Sequence, residues 1–335
     1  MNATDRTAWI AKRRKGIGGS DIAPMLGLSP YRSPYELWLD KTGRETATPD
    51  PMAAERMHFG NRFEALVAQE YAERTGRTVQ RITKSLRHPR CAIALANIDR
   101  AIVAPGSRAR WDDKTGRVLG ATGILECKTA HALAVRGDEW GDAGTDQVPE
   151  AYWLQCQWYM GVASLSEADL AVLFGGQHFR VYTLAADAAL FDDLLNAAGD
   201  WWQRYVIADT PPPVDTEADT RRRWPASRSG AQRIVGPDIA QACADMARLK
   251  ANAEEIEAEV QKRRDLICAA FKDAESITHA GRTLATWKHN KPSAKTDWKG
   301  LAHFLHPVMP AGVFEQFTAT TPGARVLRLQ LPKES

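Results

Sequence analysis

The sequence predicts a mixed α/β fold, in which helices flank a central mixed sheet, followed by a smaller C-terminal module of helix and hairpins. Helical and strand-like patterns alternate over residues 1–208, as they do in chains that pack helices against a sheet. Consecutive prolines at 211–213 then interrupt any regular element, and a long amphipathic helical pattern runs from 237 to 272. These observations predict two folded parts joined by an irregular segment.

The division of the chain follows from the same patterns. Its 335 residues suffice for one large domain or two ordinary ones, and 44% hydrophobic with 25% charged residues exclude a wholly disordered chain. We predict a first domain over 1–208, an extended Pro- and Arg-rich linker or covering arm over 209–236, and a C-terminal module over 237–335.

The elements of the first domain are predicted from periodicity and from turn residues. Gly43 and Gly76 follow the second and third helices, where glycine often ends a helix. Gly175-Gly176 separates two alternating runs and indicates a hairpin. The predicted helices cover 22–26, 33–42, 62–75, 147–160 and 186–207, and the predicted strands cover 78–82, 93–103, 118–128, 168–174 and 178–183.

The C-terminal module is predicted to contain one long helix, two hairpins and a short helix. In the long helix, apolar residues recur every three or four positions, and Arg263 interrupts them; they are Met246, Leu249, Ala253, Ile256, Val260 and Ile267. Charged residues occupy the other faces, so the helix is long enough to be coiled-coil-like. Ala280-Gly281 indicates the first hairpin, and a short helix is predicted at 297–305. The second hairpin is predicted around 321–323, with a return strand at 326–329.

Composition excludes several classes of protein. No apolar stretch is long enough for a membrane span, and the N-terminal residues lack the apolar core of a secretory signal, so we expect a cytoplasmic protein. The five cysteines are widely spaced and form no CxxC pair, which predicts free thiols and argues against a zinc ribbon. The 44 basic and 41 acidic residues leave a net charge of only +3, so any site for nucleic acid must be local.

The most informative pattern is a pair of strands that carry acidic residues. The first contains Asp99, and the second contains Glu126 and Lys128, which are two positions apart and therefore share one face. A carboxylate and an ammonium on an apolar strand need partners. A divalent metal held by Asp99 and Glu126 would be one, because carboxylate oxygens are ligands that Mg²⁺ prefers. Lys128 would then orient or help to deprotonate the attacking water.

This arrangement is the motif of the PD-(D/E)xK nuclease fold, a restriction-endonuclease-like core with a central mixed sheet. The alternative is an ion pair on a solvated edge strand. Two further residues favour the nuclease. Glu64 follows Gly60 in the predicted first turn of a helix, where the helix dipole alone also favours an acid. Gln155 and Tyr159 share a face of the helix after the Glu-x-Lys strand, where an ordinary aromatic core helix is the alternative.

The N-terminal segment places three cations beside three glycines. Arg13, Arg14 and Lys15 precede a glycine-rich stretch over 16–19, which would allow a phosphate to approach the backbone closely. Ser20 is predicted, with the aspartate that follows it, to cap the first helix. The alternative is a capped helix after a basic arm.

These elements together resemble the YqaJ-type viral recombinase family, which is similar to phage lambda exonuclease. The resemblance covers about residues 9–208 and rests on ordered motifs: Gly-Gly-Ser-Asp-Ile at 18–22, Leu-Gly-Leu-Ser-Pro-Tyr at 26–31, Pro-Tyr-Glu-Leu-Trp at 34–38, Gly-Asn-x-x-Glu at 60–64, Asn-Ile-Asp at 97–99, Leu-Glu-Cys-Lys at 125–128 and Gln-x-Gln-x-Tyr at 155–159. It implies a metal-dependent exonuclease that digests one strand of linear duplex DNA from the 5′ end and leaves a 3′ single-stranded tail for recombination.

The resemblance also implies roles for individual residues. Asp99 and Glu126 would bind Mg²⁺, with the backbone carbonyl of Cys127 as a further ligand, and Glu64 would complete a second metal site. Mn²⁺ can take the place of Mg²⁺, because both accept oxygen ligands. Lys128 would be the catalytic lysine. The remaining implied roles are orientation of the nucleophile or the phosphate by Gln155, and a grip on the DNA 5′ phosphate or backbone by Ser20 with Arg13 or Arg14.

The family further implies a ring-shaped trimer and a partner that anneals single strands. The C-terminal module would recruit that partner, contact DNA, mediate oligomerisation or cover the nuclease core. The arginines at 221–223, beside Trp224, would follow a DNA backbone or belong to a solvated linker.

Three other classes of protein compete with this interpretation. An iron–sulfur exonuclease needs four clustered cysteines, which the spacing does not provide. A catalytically silent DNA-binding scaffold would not need the full set of catalytic residue types. A single-strand annealing protein would stack bases on exposed tryptophans, but most of the 11 tryptophans fall at predicted helical core positions, among them Trp38, Trp153, Trp158, Trp201 and Trp202.

Overall fold

The computed structural model describes residues 11–44, 51–112, 114–291, 295–310 and 312–317. The chain divides into two compact units, the first ending at Arg222 and the second beginning at Arg223. None of the described helices has the length and apolarity needed to cross a membrane. The two units are described separately below.

A five-stranded mixed sheet forms the centre of the first unit, which confirms the predicted fold class. Its strand order is β1-β4-β7-β8-β9, and only the β7–β8 pair is parallel. The strands of this unit are β1 (Thr78–Arg81), β2 (Leu86–Arg87), β3 (Leu95–Ala96), β4 (Arg100–Val103), β5 (Arg110–Asp112), β6 (Arg117–Leu119), β7 (Ala121–Ala130), β8 (Glu167–Phe174) and β9 (His178–Ala185). The pairs β2–β3 and β5–β6 form separate small sheets.

Helices cover both faces of the central sheet. They are α1 (Gly19–Met25), α2 (Pro34–Lys41), α3 (Pro51–Thr75), α4 (Glu150–Ala163), α5 (Ala188–Trp201) and α6 (Glu217–Arg223). On one face, Val67 and Tyr71 of α3 pack against Leu125 and Cys127 of β7. On the other face, α1, α4 and α5 bury a larger apolar core, which includes Trp158 and Phe191. Leu125 and Cys127 of β7 therefore face α3, while Ile124 and Glu126 lie on the face that α4 covers.

Two predicted strands are each divided in the structure. The segment 93–103 forms β3 and β4, separated by a bend at Asp99, because β3 pairs with β2 while β4 pairs with β7. The segment 118–128 is divided at Gly120, which has φ +77° and separates β6 from β7. A side chain at Gly120 would also approach the carbonyl oxygen of Arg108, so glycine is required for two reasons.

Three helices, α1, α3 and α4, begin three or more residues away from their predicted starts at 22, 62 and 147. Helix α3 begins at Pro51, so Glu64 lies in the middle of the helix and the expected first-turn position was wrong. Gly60 does not mark the start of this helix. It lies within α3, at a position where a side chain would meet only open space. Helix α4 begins after Pro149, whose carbonyl accepts the first helical hydrogen bonds. Helix α5 continues beyond Trp201 into a π-helical segment, Trp202–Ile207.

The tryptophans of the first unit lie mainly in its core, as predicted. Of the five tryptophans predicted at core positions, four are buried: Trp38, Trp158, Trp201 and Trp202. Trp153 is partly buried against the same core. Trp38 also donates a hydrogen bond from Nε1 to the carbonyl of Tyr205 at 2.9 Å, which joins α2 to the π-helical segment. These five side chains serve packing and do not form an exposed surface for stacking bases.

The segment predicted as an extended linker is partly helical. Helix α6 occupies 217–223, and Arg222 contacts Glu36 of α2 at 2.5 Å. Arg221 is paired with Glu217 within α6, and Asp219 is buried. Ion pairs and burial thus hold this part of 209–236 on the first unit, so the expectation of an extended chain throughout was wrong.

The second unit contains the predicted long helix, hairpin and short helix. Helix α7 spans Pro237–Phe271, strands β10 (Ser276–His279) and β11 (Arg282–Thr286) pair antiparallel, and α8 spans Trp298–Leu305. Ala280 and Gly281 both have positive φ, as a two-residue hairpin turn requires. Asp297 caps α8 by accepting a hydrogen bond from Gly300. A short helix, α9, covers Val313–Gln316. The predicted second hairpin at 321–329 lies outside the described residues.

A buried ion pair joins α1 to α2. Asp21 and Lys41 have fully buried side chains, and Lys41 Nζ lies 2.6 Å from Asp21 Oδ2. The same carboxylate accepts a hydrogen bond from the Gly18 N–H at 2.9 Å and so holds the start of α1. Burial alone would raise the pKa of Asp21, but the charges of Lys41 and Arg13 outweigh it and keep that pKa below its usual value. The Asp21 carboxyl is therefore ionised at neutral pH, while burial lowers the pKa of Lys41 against the raising effect of the Asp21 charge.

We predict that Lys41→Met lowers the free energy of unfolding by about 3 kcal/mol, because it leaves the Asp21 carboxylate buried without its nearest cation. Urea unfolding at pH 7, followed by circular dichroism, measures the change. Lys12→Met is the matched control, because Lys12 is exposed. Equal stabilities for the two variants would contradict the prediction. The difference should shrink in acid, since a carboxyl with a lowered pKa loses its stabilising charge only as pH falls through that pKa.

Candidate active site

Three of the predicted site residues, Asp99, Glu126 and Cys127, come together where β4 begins beside β7. Arg100 of β4 pairs in register with Leu125 of β7, so Asp99, one residue before β4, lies beside Glu126. Asp99 Oδ2 accepts a hydrogen bond from the backbone N–H of Cys127 at 2.9 Å. Because a strand residue directs its N–H and C=O to the same neighbour, the Cys127 carbonyl faces the side of Asp99 as well. Sheet register thus brings both acids and this carbonyl to one place.

Glu126, Lys128 and Gln155 form a closed hydrogen-bonded triangle. Lys128 Nζ lies 2.7 Å from Glu126 Oε1 and 3.1 Å from Gln155 Oε1, and Gln155 Nε2 lies 2.6 Å from the same Glu126 oxygen. Glu126 and Gln155 are both buried. The triangle joins β7 to α4 and fixes Glu126 through one of its two oxygens.

The second carboxylate oxygen of Glu126 is the atom of the site that best fits a bound cation. Oε2 is buried and has no hydrogen-bond partner, a costly state for a charged oxygen. A divalent cation would satisfy it, and Asp99 and the Cys127 carbonyl supply further oxygen donors of the kind that Mg²⁺ prefers. No group of three or more His, Cys, Asp or Glu side chains suited to a metal occurs among the described residues. A cation here would therefore need the backbone carbonyl and oxygens from outside the protein.

The electrostatics of the site raise the pKa of both Asp99 and Lys128. Burial and the neighbouring Glu126 carboxylate raise the pKa of Asp99 to about 8. Burial alone would lower the pKa of Lys128, but the charge and hydrogen bond of Glu126 outweigh it and raise that pKa above its usual value. Lys128 Nζ also lies 5.2 Å from the centre of the Tyr152 ring, a contact that favours the ammonium form. Lys128 is therefore a proton donor at neutral pH.

Glu64 lies on the other face of the sheet, in contact with Arg100. Arg100 lies on the same face of the sheet as its register partner Leu125, and α3 covers that face. Arg100 Nη1 lies 2.5 Å from Glu64 Oε1. The same nitrogen donates to the carbonyl of Asp99 at 2.6 Å. Glu64 still acts on Asp99 through its charge, which helps to raise the pKa of Asp99. In this structure the Glu64 carboxylate is neutralised by Arg100.

The N-terminal cations are paired with side chains of α1 and α2. Arg13 donates a hydrogen bond to the exposed hydroxyl of Ser20, and its Nη2 lies 3.6 Å from Asp21 Oδ1. Arg14 Nε contacts Asp40 at 3.1 Å. Ser20 does not cap α1 as predicted, because the helix begins one residue earlier and Asp21 accepts the hydrogen bond from Gly18.

The glycines at 16–19 allow the protein backbone itself to pack closely. A side chain at Gly16 would lie 2.3 Å from the Ile93 carbonyl oxygen, and one at Gly19 would lie 2.5 Å from the Tyr159 ring. The predicted open approach for a phosphate is therefore occupied at both positions by protein. Tyr159 Oη in turn lies 3.3 Å from Gln155 Nε2, so Gly19 packs against the residue that contacts the triangle.

Arg100 and Tyr152 were missed by sequence analysis. Arg100 is the residue after Asp99, but its role depends on pairing with Glu64, 36 positions earlier in the chain. Tyr152 contacts Lys128 across two elements. A sequence signal existed for Tyr152, since it lies three positions before Gln155 and so on the same side of α4. No local pattern marks Arg100.

Comparison with known proteins places the chain in a family. A model described as the YqaJ-like viral recombinase domain matches residues 8–166. The protein YqaJ of Bacillus subtilis (strain 168) is 32% identical over 289 residues, which cover 84% of this chain and 83% of that protein. The chain therefore belongs to the family of YqaJ-like viral recombinases, as its sequence motifs predicted.

Solved structures of lower identity also resemble the chain. The alkaline exonuclease LHK-Exo of Laribacter hongkongensis is 16% identical, with 65% of this chain and 97% of that one covered at a TM-score of 0.44. A phage-related exonuclease from Haemophilus somnus 129PT is 12% identical, with 58% of this chain and 96% of that one covered at a TM-score of 0.38.

We predict that a carboxyl group of the protein titrates near pH 8 after treatment with a chelator, because burial and Glu126 hold the proton on Asp99. Infrared difference spectroscopy of the carboxyl band measures this titration. Asp99→Asn should abolish the titration, and Glu126→Gln should move it to lower pH because the neighbouring negative charge is removed. Persistence of the band change in Asp99→Asn would assign it to another group and contradict the prediction.

Proposed function

We propose that this protein is a metal-dependent exonuclease that digests one strand of linear double-stranded DNA in the 5′→3′ direction and leaves 3′ single-stranded tails for recombination. The partnerless Oε2 of Glu126, buried beside Asp99 and Lys128, is the observation that supports this function best. Membership of the viral recombinase family supports the DNA substrate and the role in recombination.

The metal site of this proposal consists of Asp99, Glu126 and the Cys127 carbonyl, with Mg²⁺ as the ion and Mn²⁺ as a substitute. When bound, such a cation supplies Lewis-acid chemistry, which neutralises charge on a phosphate and makes water more acidic. Glu64 is the proposed contributor to a second site. Because Arg100 neutralises Glu64 in this structure, a second ion would have to displace that guanidinium.

The protein's own groups would position the reactants. The raised pKa of Lys128 keeps its ammonium protonated, so Lys128 would donate hydrogen bonds to the attacking water or to a phosphate oxygen and would not act as a base. Gln155 holds both Glu126 and Lys128 and would keep them aligned as substrate binds. These interactions stabilise charge where it develops, which is the largest contribution in many hydrolytic sites.

The DNA grip is proposed to involve Arg13, Arg14 and Ser20. Arg13 and Ser20 contact each other, and the charge of Arg13 acts on Tyr159, the neighbour of Gln155. A 5′ phosphate held by this pair would therefore lie close to the catalytic triangle. A ring-shaped trimer and a single-strand annealing partner are further proposals, which rest on the family resemblance.

We predict that Glu126→Gln and Lys128→Ala each slow the digestion of linear duplex DNA by at least about 10²–10³-fold, as removal of an electrostatic catalytic group typically does. Release of acid-soluble nucleotides in Mg²⁺ measures the rate. Lys114→Ala is the matched control, because it removes a lysine from an exposed turn, and it should digest DNA at the wild-type rate.

Wild-type rates for both site variants would show that this site is not catalytic. A wild-type protein that binds duplex DNA but releases no nucleotides would indicate a silent scaffold. Annealing of complementary strands without digestion would indicate an annealing protein.

We predict that the protein digests duplexes from the 5′ end and prefers ends that carry a 5′ phosphate. Duplexes labelled at either end, with and without that phosphate, measure direction and preference. Arg13→Ala and Ser20→Ala should reduce the preference and leave cleavage chemistry at saturating DNA unchanged. Lys12→Ala is the control for loss of one N-terminal cation. Release of the 3′ label first would contradict the direction, and an unchanged preference in both variants would contradict the phosphate site.

A further inference from the structure

Helix α7 of the second unit carries a regular heptad pattern. Spacings of three and four residues alternate along one face for three full heptads, which is the a and d pattern of a coiled coil. The positions are, in order, Met246, Leu249, Ala253, Ile256, Val260, Arg263 and Ile267. At 35 residues, α7 is long for a globular helix and has room for about five heptads.

Most apolar side chains of this heptad face are exposed, whereas Met246 is half-buried. Leu249, Ile256 and Val260 are 63%, 64% and 61% exposed. Phe271, at the end of the helix, is the one fully buried side chain described for α7. A run of exposed branched apolar side chains at coiled-coil spacing indicates a face that packs against another helix.

We infer that this face binds α7 of a second copy of the same chain in a parallel two-stranded coiled coil. The charges beside the apolar face identify this occupant. In a parallel pair, each g position faces the e position five residues further along the other helix. Asp245 would then face Lys250 of the second copy, and Glu259 would face Arg264 of the second copy. Both contacts are attractive, and each occurs twice because the pair has two-fold symmetry.

The same charges disfavour an antiparallel pair. There, e positions face e positions and g positions face g positions. With the heptads in full overlap, Lys250 would face Arg264 and Asp245 would face Glu259, so every one of these contacts would be repulsive. With the heptads in full overlap, the charges of α7 are therefore complementary in the parallel orientation and not in the antiparallel one.

Arg263 fits this arrangement as a polar residue in the core of the pair. Its Nη1 lies 2.5 Å from Glu259 Oε1 within the same helix, so its charge is already paired. Its methylene groups can cover apolar surface while the guanidinium stays in water. A single polar residue at a core position costs stability but fixes the register of a coiled coil. This inference goes beyond the proposed nuclease function and does not depend on it. A two-stranded contact pairs chains two at a time, so it is separate from the ring trimer proposed from the family resemblance and would join one such trimer to another.

Charge exchange between Glu259 and Arg264 tests the inference in the full-length protein. Glu259→Arg and Arg264→Glu each replace two attractive contacts by two repulsive ones, so each should raise the dissociation constant of self-association at least about tenfold. The double variant exchanges both charges and should restore association. An equimolar mixture of the two single variants should also associate, because each chain then presents the charges that the other needs. Sedimentation velocity over a concentration series measures these constants.

Glu255→Arg is the matched control, because it makes the same charge change on a different face of α7 and should leave association unchanged. Circular dichroism checks that every variant keeps its helix content. A monomeric wild type, single variants that associate as the wild type does, or a double variant without recovery would overturn the inference. Tighter association of the single variants would also overturn it, since that is the result expected of an antiparallel pair.

Discussion

The site depends on one carboxylate that is held firmly on one side and left open on the other. Lys128 and Gln155 both bind Oε1 of Glu126, while Oε2 is buried without a partner. Burial makes an unpaired anionic oxygen costly. A cation bound at this oxygen would therefore stabilise the site. The same burial, acting with Glu126, places a proton on Asp99 near neutral pH. Lys128 is held as an ammonium because the charge and hydrogen bond of Glu126 raise its pKa above the usual value.

Sequence analysis found those parts of the site that depend on local periodicity. Glu126 and Lys128 are two positions apart on one strand, and Gln155 and Tyr159 are four apart on one helix, so each pair had to share a face. The mixed α/β fold class followed from the alternation of elements. The role predicted for the Cys127 carbonyl agrees with the direction of the Cys127 N–H, which binds Asp99.

The rest required contacts between distant segments. The division of 93–103 depends on which neighbour each half pairs with, and no propensity of residues 97–99 reveals that choice. The role of Arg100 depends on the register of β4 with β7 and on a helix that begins at Pro51 and not near Gly60. The extended linker was predicted from its prolines and arginines. In the structure, Arg222 forms an ion pair with Glu36, which is distant in the sequence. Each of these errors reflects a tertiary contact that overrides a local pattern.

The close packing of Gly19 against Tyr159 makes the geometry of the proposed site depend on a residue that takes no part in its chemistry. Gly19 has no side chain. A single methyl group there would nevertheless meet the Tyr159 ring and the backbone carbonyl of Gln155. Displacement of Tyr159 would reach Glu126 through Gln155. In a random-mutagenesis screen for loss of the proposed activity, Gly19 would therefore appear among the proposed catalytic residues, because any larger residue there would displace Tyr159.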